Sequence, residues 1–278
     1  MAYSAEVSRI NPTCFIFLVD QSKSMDDSIG SDKIKKKSDG VADAINRQLT
    51  TLIIKCAKAD GIRDYFYIGV LGYGKRVGPA FSGSLSDRQL VPISEVAKNP
   101  ARLEERTKNV DDGYGGIINQ QVKVPIWFDP VADNGTPMTE AFAEAEKILK
   151  QWLYKFPNCF PPIVINITDG EATDGDPSIP AKLLKKLSSS DGNVLLFTIH
   201  ISCKNIPPIE FPDSELGLPD EFSRFLFNMT SILPNHLKDC ARQKGYKISK
   251  NSRGFVFNGD LNSILDFLDI GTRPSNLR

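Results

Sequence analysis

The sequence predicts an α/β domain, in which an open and mostly parallel sheet carries helices on both faces. Two observations support this fold class. Short, continuous apolar runs rich in β-branched and aromatic residues alternate with longer segments whose apolar residues recur at helical spacing. Two of the apolar runs end directly at a carboxylate, Asp20 and Asp169. Repeated strand–helix–strand alternation is typical of βαβ units, whose strands are parallel.

The strands are predicted from uninterrupted apolar runs. Residues 14–19 form such a run, which indicates a strand buried on both faces. Residues 77–81 follow the second strand closely after Gly74, and we expect them to return antiparallel at the sheet edge. In chain order, the predicted strands are residues 14–19, 65–73, 77–81, 163–168, 194–201 and 254–257.

The helices are predicted from apolar stripes. Residues 138–153 give the clearest helix, because apolar side chains from Met138 to Leu153 fall on one face. Between the first two strands, a stripe runs from Val41 to Cys56, and Gly61 is expected to end that helix. The preceding polar segment, residues 28–40, is interpreted as a solvated loop. The remaining predicted helices are residues 181–187, 222–229, 231–244 and 261–270, the last with Asp260 as N-cap and Gly271 as its stop.

One long segment interrupts the alternation. Residues 82–135 are too long for a connection inside a compact domain. Within them, an alternating patch from Val122 to Phe128 is interrupted by Pro125, which suits an edge strand. We interpret the segment as an insertion at about 82–135 in a single domain that spans residues 1–278.

Composition excludes several classes of protein. The 278 residues contain 34 Lys plus Arg and 34 Asp plus Glu, so no basic excess favours nucleic acid. The longest apolar run is six residues, far short of a membrane span of about 20, and the first residues lack the apolar core of a signal peptide. The five cysteines are an odd number without a C-x-x-C pair, which favours a reducing, cytoplasmic location.

Polar side chains stand where an open α/β sheet binds its ligands, at the carboxyl ends of the strands. Two carboxylates and three hydroxyls occupy these positions and the start of the strongest helix. They are Asp20, Ser22 and Ser24 after the first strand, Asp169 after residues 163–168, and Thr136 before residues 138–153. Oxygen donors of this kind suit a hard cation, Mg²⁺ or Mn²⁺.

Each part also has a purely structural interpretation. Ser22 and Ser24 are ordinary turn residues, and Asp169 with the following glycine is a common turn pair. Thr136 before Pro137 is a favourable helix N-cap. The conjunction of all three segments in their expected places favours a metal site.

These three segments read FLVDQSKSM, NGTPM and INITDGEATDG, and together they resemble the von Willebrand factor type A (VWA) domain with its metal-ion-dependent adhesion site. The resemblance covers essentially the whole chain, with the insertion matching least. It implies a Rossmann-like sheet of strand order 3-2-1-4-5-6. It also implies that Ser22, Ser24 and Thr136 contact the cation directly or nearly so. Asp20 and Asp169 would act directly or through waters, and a partner protein would supply a Glu or Asp to the open position.

The chain resembles the stand-alone bacterial members of this family, including those named for tellurium resistance, more than it resembles secreted adhesion domains. That similarity implies a non-enzymatic role in a bacterial stress-response or signalling assembly, with a kinase, a phosphatase or an AAA ATPase as candidate partners. The insertion leads directly into Thr136, so we expect it to line the rim of the site. Nearby Glu171, Asp174 and Asp176 are interpreted as a solvated acidic turn.

Two alternatives stay open. A metal-dependent phosphohydrolase on a similar sheet would need a second aspartate two residues after Asp20, where this sequence has Ser22. A scaffold with a vestigial site would bind its partners without metal.

Two other features of the sequence are not interpreted as functional. The phosphate-loop spacing from Gly69 to Lys75 is followed by Arg76, and its first four residues fall within a predicted strand. His200 is expected to be a core residue.

Overall fold

The computed structural model describes residues 3–29, 32–111, 117–202, 206–259, 261–273 and 276–277. The longer strands and those of the main sheet are β1 (Thr13–Asp20), β2 (Phe66–Tyr73), β3 (Val77–Pro79), β4 (Val91–Pro92), β5 (Arg102–Asp111), β6 (Ile117–Ile126), β7 (Ile163–Thr168), β8 (Leu195–His200), β9 (Ile209–Glu210) and β10 (Phe255–Phe257). The helices are α1 (Lys37–Cys56), α2 (Ile93–Lys98), α3 (Met138–Lys155), α4 (Ser178–Lys186), α5 (Glu221–Met229), α6 (Asn235–Gln243) and α7 (Leu261–Gly271).

The main sheet has eight strands in the order β9-β10-β8-β7-β1-β2-β3, and β4 also pairs with β2. Strands β1, β2, β7, β8 and β10 are parallel. Numbered along the chain together with β3, they follow the predicted Rossmann-like order 3-2-1-4-5-6, which is therefore confirmed. The prediction of one antiparallel edge strand was incomplete. Both edges are antiparallel, β3 and β4 against β2 and β9 against β10. A two-residue strand such as β9 has no periodicity to recognise.

Helices cover both faces of the sheet, as predicted. On β1, Phe15 and Phe17 face a core shared with α1, α2, α6 and α7, whereas Cys14 and Ile16 face a core shared with α3, α4 and α5. Burial on both faces explains the unbroken apolar run of β1. Because β1 lies between β2 and β7, the sheet order reverses at its carboxyl end. Asp20 therefore ends β1 beside the end of β7, at the topological switch point.

Most predicted elements are confirmed to within a few residues, but α1 differs at both ends. It begins at Lys37, and Lys37 and Ser38 are buried. Before it, Ser28–Ile29 pairs antiparallel with Asp32–Lys36, so the interpretation of residues 28–40 as a solvated loop was wrong. The helix ends at Cys56 instead of Gly61, because Ala57–Lys58 and Gly61–Ile62 pair as a tight hairpin. Helix α6 is shorter than predicted and begins only after Pro234. The predicted N-cap of α7, Asp260, lies outside the described residues.

The insertion joins the main sheet through β4, whereas its β5–β6 hairpin lies beside α1. Residues 82–135 contain a 3-10 turn, β4, α2 and the β5–β6 hairpin, in which Pro125 pairs opposite Leu103. The predicted edge strand is β6 of this hairpin. Asn46 on α1 anchors its end, because its side chain accepts from the backbone N–H groups of Trp127 and Phe128 at 2.9 and 3.1 Å. Residues 112–116, between β5 and β6 in the sequence, lie outside the described residues.

Three other predictions concern features of the whole chain. In the described residues, no helix combines the length and the apolar character needed to cross a bilayer. Cys14, Cys56, Cys159 and Cys240 are free thiols, and Cys203 lies outside the described part. The first residues of the segment with phosphate-loop spacing, from Gly69 to Tyr73, belong to β2, as expected.

Candidate functional site

Asp20 is held in a fixed orientation at the end of β1. Only 1% of the residue is exposed. Its Oδ1 accepts a 2.8 Å hydrogen bond from the backbone N–H of Ser22, and its Oδ2 accepts a 2.7 Å hydrogen bond from the hydroxyl of Thr168. Burial raises the pKa of Asp20 to about 6, although the hydrogen bonds from Ser22 and Thr168 lower it, and nearby Asp169 adds repulsion. The carboxyl group is thus both pre-oriented and costly to ionise without a compensating cation.

A chain of hydroxyls connects this strand end to the next. The Oγ atoms of Ser22 and Ser24 are 3.1 Å apart, and the Ser24 hydroxyl donates to Oδ1 of Asp169 at 2.8 Å. The loops that follow β1 and β7 therefore meet through side-chain oxygens. Ser22 is buried whereas Ser24 is exposed, so the cluster opens to solvent at Ser24.

Thr136 joins the same cluster from the start of α3. A Cβ atom added at Gly170 would lie 3.6 Å from Thr136 Oγ1 and 3.8 Å from Ser24 Oγ, so both hydroxyls border this glycine. The backbone of Thr136 is fixed by Thr173, whose hydroxyl accepts from the Thr136 N–H at 3.0 Å and whose N–H donates to the Thr136 carbonyl at 3.0 Å. The structure thus brings the predicted site residues together around the ends of β1 and β7.

The predicted N-cap role of Thr136 was wrong. The N-cap position of α3 is Pro137, and no side chain at that position caps the helix. Instead, the carboxylate of Asp174 accepts from the backbone N–H groups of Thr139 and Glu140 at 3.0 and 2.8 Å. Asp174 is therefore a cap supplied by a distant loop, and Glu171, Asp174 and Asp176 are all exposed, as expected of a solvated acidic turn. Asp176 likewise accepts from the Ser178 N–H at the start of α4.

Lys37 is a site residue that sequence reasoning missed. Its Nζ lies 2.7 Å from Oδ2 of Asp169 and 3.4 Å from the carbonyl oxygen of Ser24. Both members of the ion pair are buried, with 4% of the Lys37 side chain and none of the Asp169 side chain exposed. Three consecutive lysines indicate a solvated segment, so no local pattern pointed to this contact.

Close backbone contacts hold the loop after β1. The N–H of Lys23 donates to the carbonyl of Asn134, a residue in the left-handed region with φ of 64°, and the N–H of Asp133 donates to the carbonyl of Gln21. A Cβ at Gly74 would lie 2.7 Å from the Gln21 carbonyl oxygen and 2.8 Å from that of Asp133. This crowding explains one of the glycines that mimic a phosphate loop.

The donor set fits a hard divalent cation. It consists of two carboxylates and three hydroxyls, the oxygen ligands that Mg²⁺ and Mn²⁺ prefer. Within the described ranges, no group of three or more His, Cys, Asp or Glu side chains could hold a metal, so a metal here would depend on the hydroxyls. His200 takes no part in this cluster. It is 4% exposed and packs against Phe222 and Phe257, as expected of a core residue.

The fold and this cluster define an open α/β domain with an oxygen-rich site at its switch point. No protein-family model and no curated protein matches the sequence. Among solved structures, the chain is similar to proximal thread matrix protein 1 of the mussel byssus, with a TM-score of 0.48, 13% identity, and coverage of 96% of this chain and 48% of that one.

Two further similar structures are described as VWA-type domains. The ArnB paralog VWA2 of Sulfolobus acidocaldarius has a TM-score of 0.32 at 15% identity, covering 72% of this chain and 36% of that one. The vWF domain of the type V pili tip protein Mfa5 of Porphyromonas gingivalis has a TM-score of 0.33 at 14% identity, with coverage of 58% and 39%. The chain therefore spans about half or less of the length of these three proteins.

Proposed function

We propose that this chain is a non-enzymatic protein-interaction module that binds an acidic side chain of a partner protein through Mg²⁺. One observation carries the proposal. The Ser24 hydroxyl contacts Ser22 while it donates to Asp169, so two strand-end loops converge on one oxygen-rich point that is open to solvent. The residues proposed to hold the cation are Asp20, Ser22, Ser24, Thr136 and Asp169.

A bound cation would supply a Lewis-acid centre able to accept a carboxylate oxygen from outside the protein. The contribution of this chain is to place its own oxygens in advance. Asp20 is oriented by Ser22 and Thr168, which limits the rearrangement that binding requires. Because Ser24 is exposed, an incoming Glu or Asp side chain could reach the cluster from solvent. Mn²⁺ is the second candidate cation.

The insertion is proposed to influence partner choice. Its last residues contact the loop after β1, through the bonds from Lys23 to Asn134 and from Asp133 to Gln21. A partner carboxylate at the cluster would therefore lie close to the end of the insertion. The finer assignments stay predictions from the resemblance. They are a cytoplasmic location, a tellurium-resistance type of bacterial assembly, and a kinase, phosphatase or AAA ATPase as partner.

Metal titration tests the proposal. Mg²⁺ and Mn²⁺ are titrated by calorimetry into the wild type, Asp20→Ala and Ser24→Ala, with Asp87→Ala and Ser86→Ala as exposed controls distant in sequence from the site. We expect one equivalent of metal to bind the wild type and both controls, and at least about tenfold weaker binding to the two site variants. Absence of binding at millimolar metal would favour the scaffold with a vestigial site. Hydrolysis of p-nitrophenyl phosphate that Asp20→Asn abolishes would favour the phosphohydrolase.

A further inference from the structure

Lys37 is a buried cation placed directly against the proposed metal site. Its side chain is 4% exposed, and its ammonium group lies 2.7 Å from one oxygen of the fully buried Asp169 side chain. The other oxygen of Asp169 accepts from Ser24 at 2.8 Å. Lysine is almost never buried unless it is paired, so the ion pair accounts for its position. Asp169 is thus shared between a hydroxyl of the site and a cation that belongs to the protein.

The position of Lys37 is unfavourable for the helix that carries it. Lys37 is the first residue of α1, where the helix dipole is positive and a cation is disfavoured. The neighbouring Lys36 has half of its side chain exposed and pairs with the exposed Asp26 at 2.7 Å. Of Lys36 and Lys37, only Lys37 has a buried side chain. A residue that breaks a local preference in this way is expected to have a compensating role elsewhere in the structure.

Charge counting shows what that role can be. With Asp20, Asp169 and Lys37 ionised, the cluster carries one net negative charge. A divalent cation would change this to one net positive charge, whereas two carboxylates without Lys37 would only be neutralised. We propose that Lys37 weakens binding of the divalent cation itself and strengthens binding of an acidic side chain to the loaded site. The inference deepens the proposed function and rests on it.

The two effects have a common electrostatic origin but opposite signs. An approaching cation is repelled by the ammonium group that already pairs with Asp169, and this repulsion is larger in a buried site than in water. An incoming carboxylate meets a site with net positive charge, which favours its association. Lys37 would therefore make the loaded site selective for anionic partners while keeping it readily emptied of metal.

Among the described residues, Asp27 is an acidic group that also faces Lys37. Oδ2 of Asp27 lies 3.7 Å from Nζ, and the Asp27 side chain is 63% exposed. Water and salt screen an exposed charge much more than a buried one. Asp27 therefore offsets the Lys37 charge less than the buried Asp169 does, and the repulsion on a metal ion is retained.

The test uses two separate probes. Mn²⁺ alone is titrated into the wild type, Lys37→Met, Lys37→Arg and the control Lys36→Met, which removes an exposed lysine next in the chain. Acetate is then titrated into each metal-saturated protein. For Lys37→Met we expect Mn²⁺ to bind about tenfold tighter or more, and acetate to bind several-fold weaker. Lys36→Met should match the wild type, and Lys37→Arg should recover most of the wild-type behaviour.

The outcomes separate this inference from the proposed function. Equal Mn²⁺ affinity in the wild type and Lys37→Met overturns the inference but leaves the function standing. If Lys37→Met binds Mn²⁺ more tightly but binds acetate as the wild type does, the proposed effect of Lys37 on anion binding is overturned. Binding to Lys37→Met alone would support the weakening of metal binding by Lys37, but it would overturn the metal-dependent function and with it the second half of the inference. If Mn²⁺ binds neither the wild type nor Lys37→Met, both the inference and the proposed function are overturned.

A folding control accompanies these titrations. Lys37→Met leaves Asp169 buried without its cation, so its melting temperature in EDTA should fall and should recover on addition of Mn²⁺. Lys37→Gln keeps a hydrogen-bond donor for Asp169 and serves as the neutral variant if Lys37→Met does not fold. A melting temperature of Lys37→Met in EDTA equal to that of the wild type would contradict the importance of the ion pair.

Discussion

The hydroxyl of Thr168 donates a 2.7 Å hydrogen bond to Oδ2 of Asp20, and both residues are almost completely buried. The bond links the last residue of β7 to the last residue of β1, across the point where the strand order reverses. It satisfies one carboxylate oxygen and leaves the orientation of Asp20 fixed before any ligand arrives. The geometry of the site therefore depends on a residue that is not proposed to contact the metal.

Replacement of Thr168 by valine should expose this dependence. Thr168→Val keeps the shape of the side chain but leaves a buried carboxylate oxygen without its donor, so we expect a loss of about 1–3 kcal/mol in the free energy of unfolding. Urea denaturation measures the loss. Thr198→Val on the adjacent β8 is the matched control, because the buried Thr198 hydroxyl has no hydrogen-bond partner among the described residues. Equal losses in both variants would contradict the role of the Thr168 bond.

The free energy of unfolding of the metal-free protein should depend on pH through the ionisation of Asp20. Burial raises the pKa of Asp20 from 3.8 to about 6, so between these values the folded state holds more protons than the unfolded state. Stability from this group is therefore greatest below pH 4 and falls as the pH rises through 6, by about 3 kcal/mol.

Asp20→Asn removes this titration. Denaturation of both proteins in EDTA from pH 4 to 7 gives the contribution of Asp20 as the difference between the two profiles. The wild type should lose stability relative to Asp20→Asn as the pH rises. A difference that is constant with pH, or that changes in the opposite direction, would show that Asp20 is not penalised by burial.

Helix capping and metal binding should be separable at the start of α3. Asp174→Ala removes two hydrogen bonds to the backbone of Thr139 and Glu140 and should cost about 1 kcal/mol of stability. Thr136→Ala removes no cap, so it should weaken Mn²⁺ binding with little change in melting temperature. Thr136→Ser should restore the binding. Calorimetry and thermal denaturation of the three variants check this, and a large thermal loss in Thr136→Ala would contradict it.

Gly74 should be intolerant of any side chain. A methyl group there would lie 2.7 and 2.8 Å from the carbonyl oxygens of Gln21 and Asp133, so the loop after β1 must shift. We expect Gly74→Ala to lose about 1–3 kcal/mol of stability and to weaken metal binding. Gly78→Ala on β3 is the control, since nothing lies within 4 Å of its Cβ position. Similar behaviour of the two variants would argue against a close packing of this loop.

The sequence was sufficient to predict the central strands and the clustering of the candidate oxygen donors, for a physical reason. Strand β1 is buried on both faces, so its apolar run is unbroken until Asp20, and the polar residues that follow stand out. Ser22, Ser24, Thr136 and Asp169 were found in the same way, as hydroxyls and a carboxylate at element ends.

The contacts that could not be predicted from the sequence join residues that are far apart in the chain. Lys37 and Asp169 are 132 residues apart, and Asp174 caps a helix that begins more than 30 residues earlier in the chain. Neither pairing leaves a local pattern. Lys37 lies in a run of lysines, and the predicted cap Thr136 had favourable local chemistry that the observed start of α3 does not use.

Selection of binding peptides in Mg²⁺ tests the central claim most directly. A displayed library of random peptides is bound to the immobilised protein in Mg²⁺ and eluted with EDTA, and the recovered peptides are tested against Asp20→Ala. We expect the eluted peptides to share an Asp or Glu at one position and to lose binding to Asp20→Ala. Peptides that remain bound in EDTA, or that bind Asp20→Ala as well as the wild type, would contradict metal-dependent recognition of an acidic side chain.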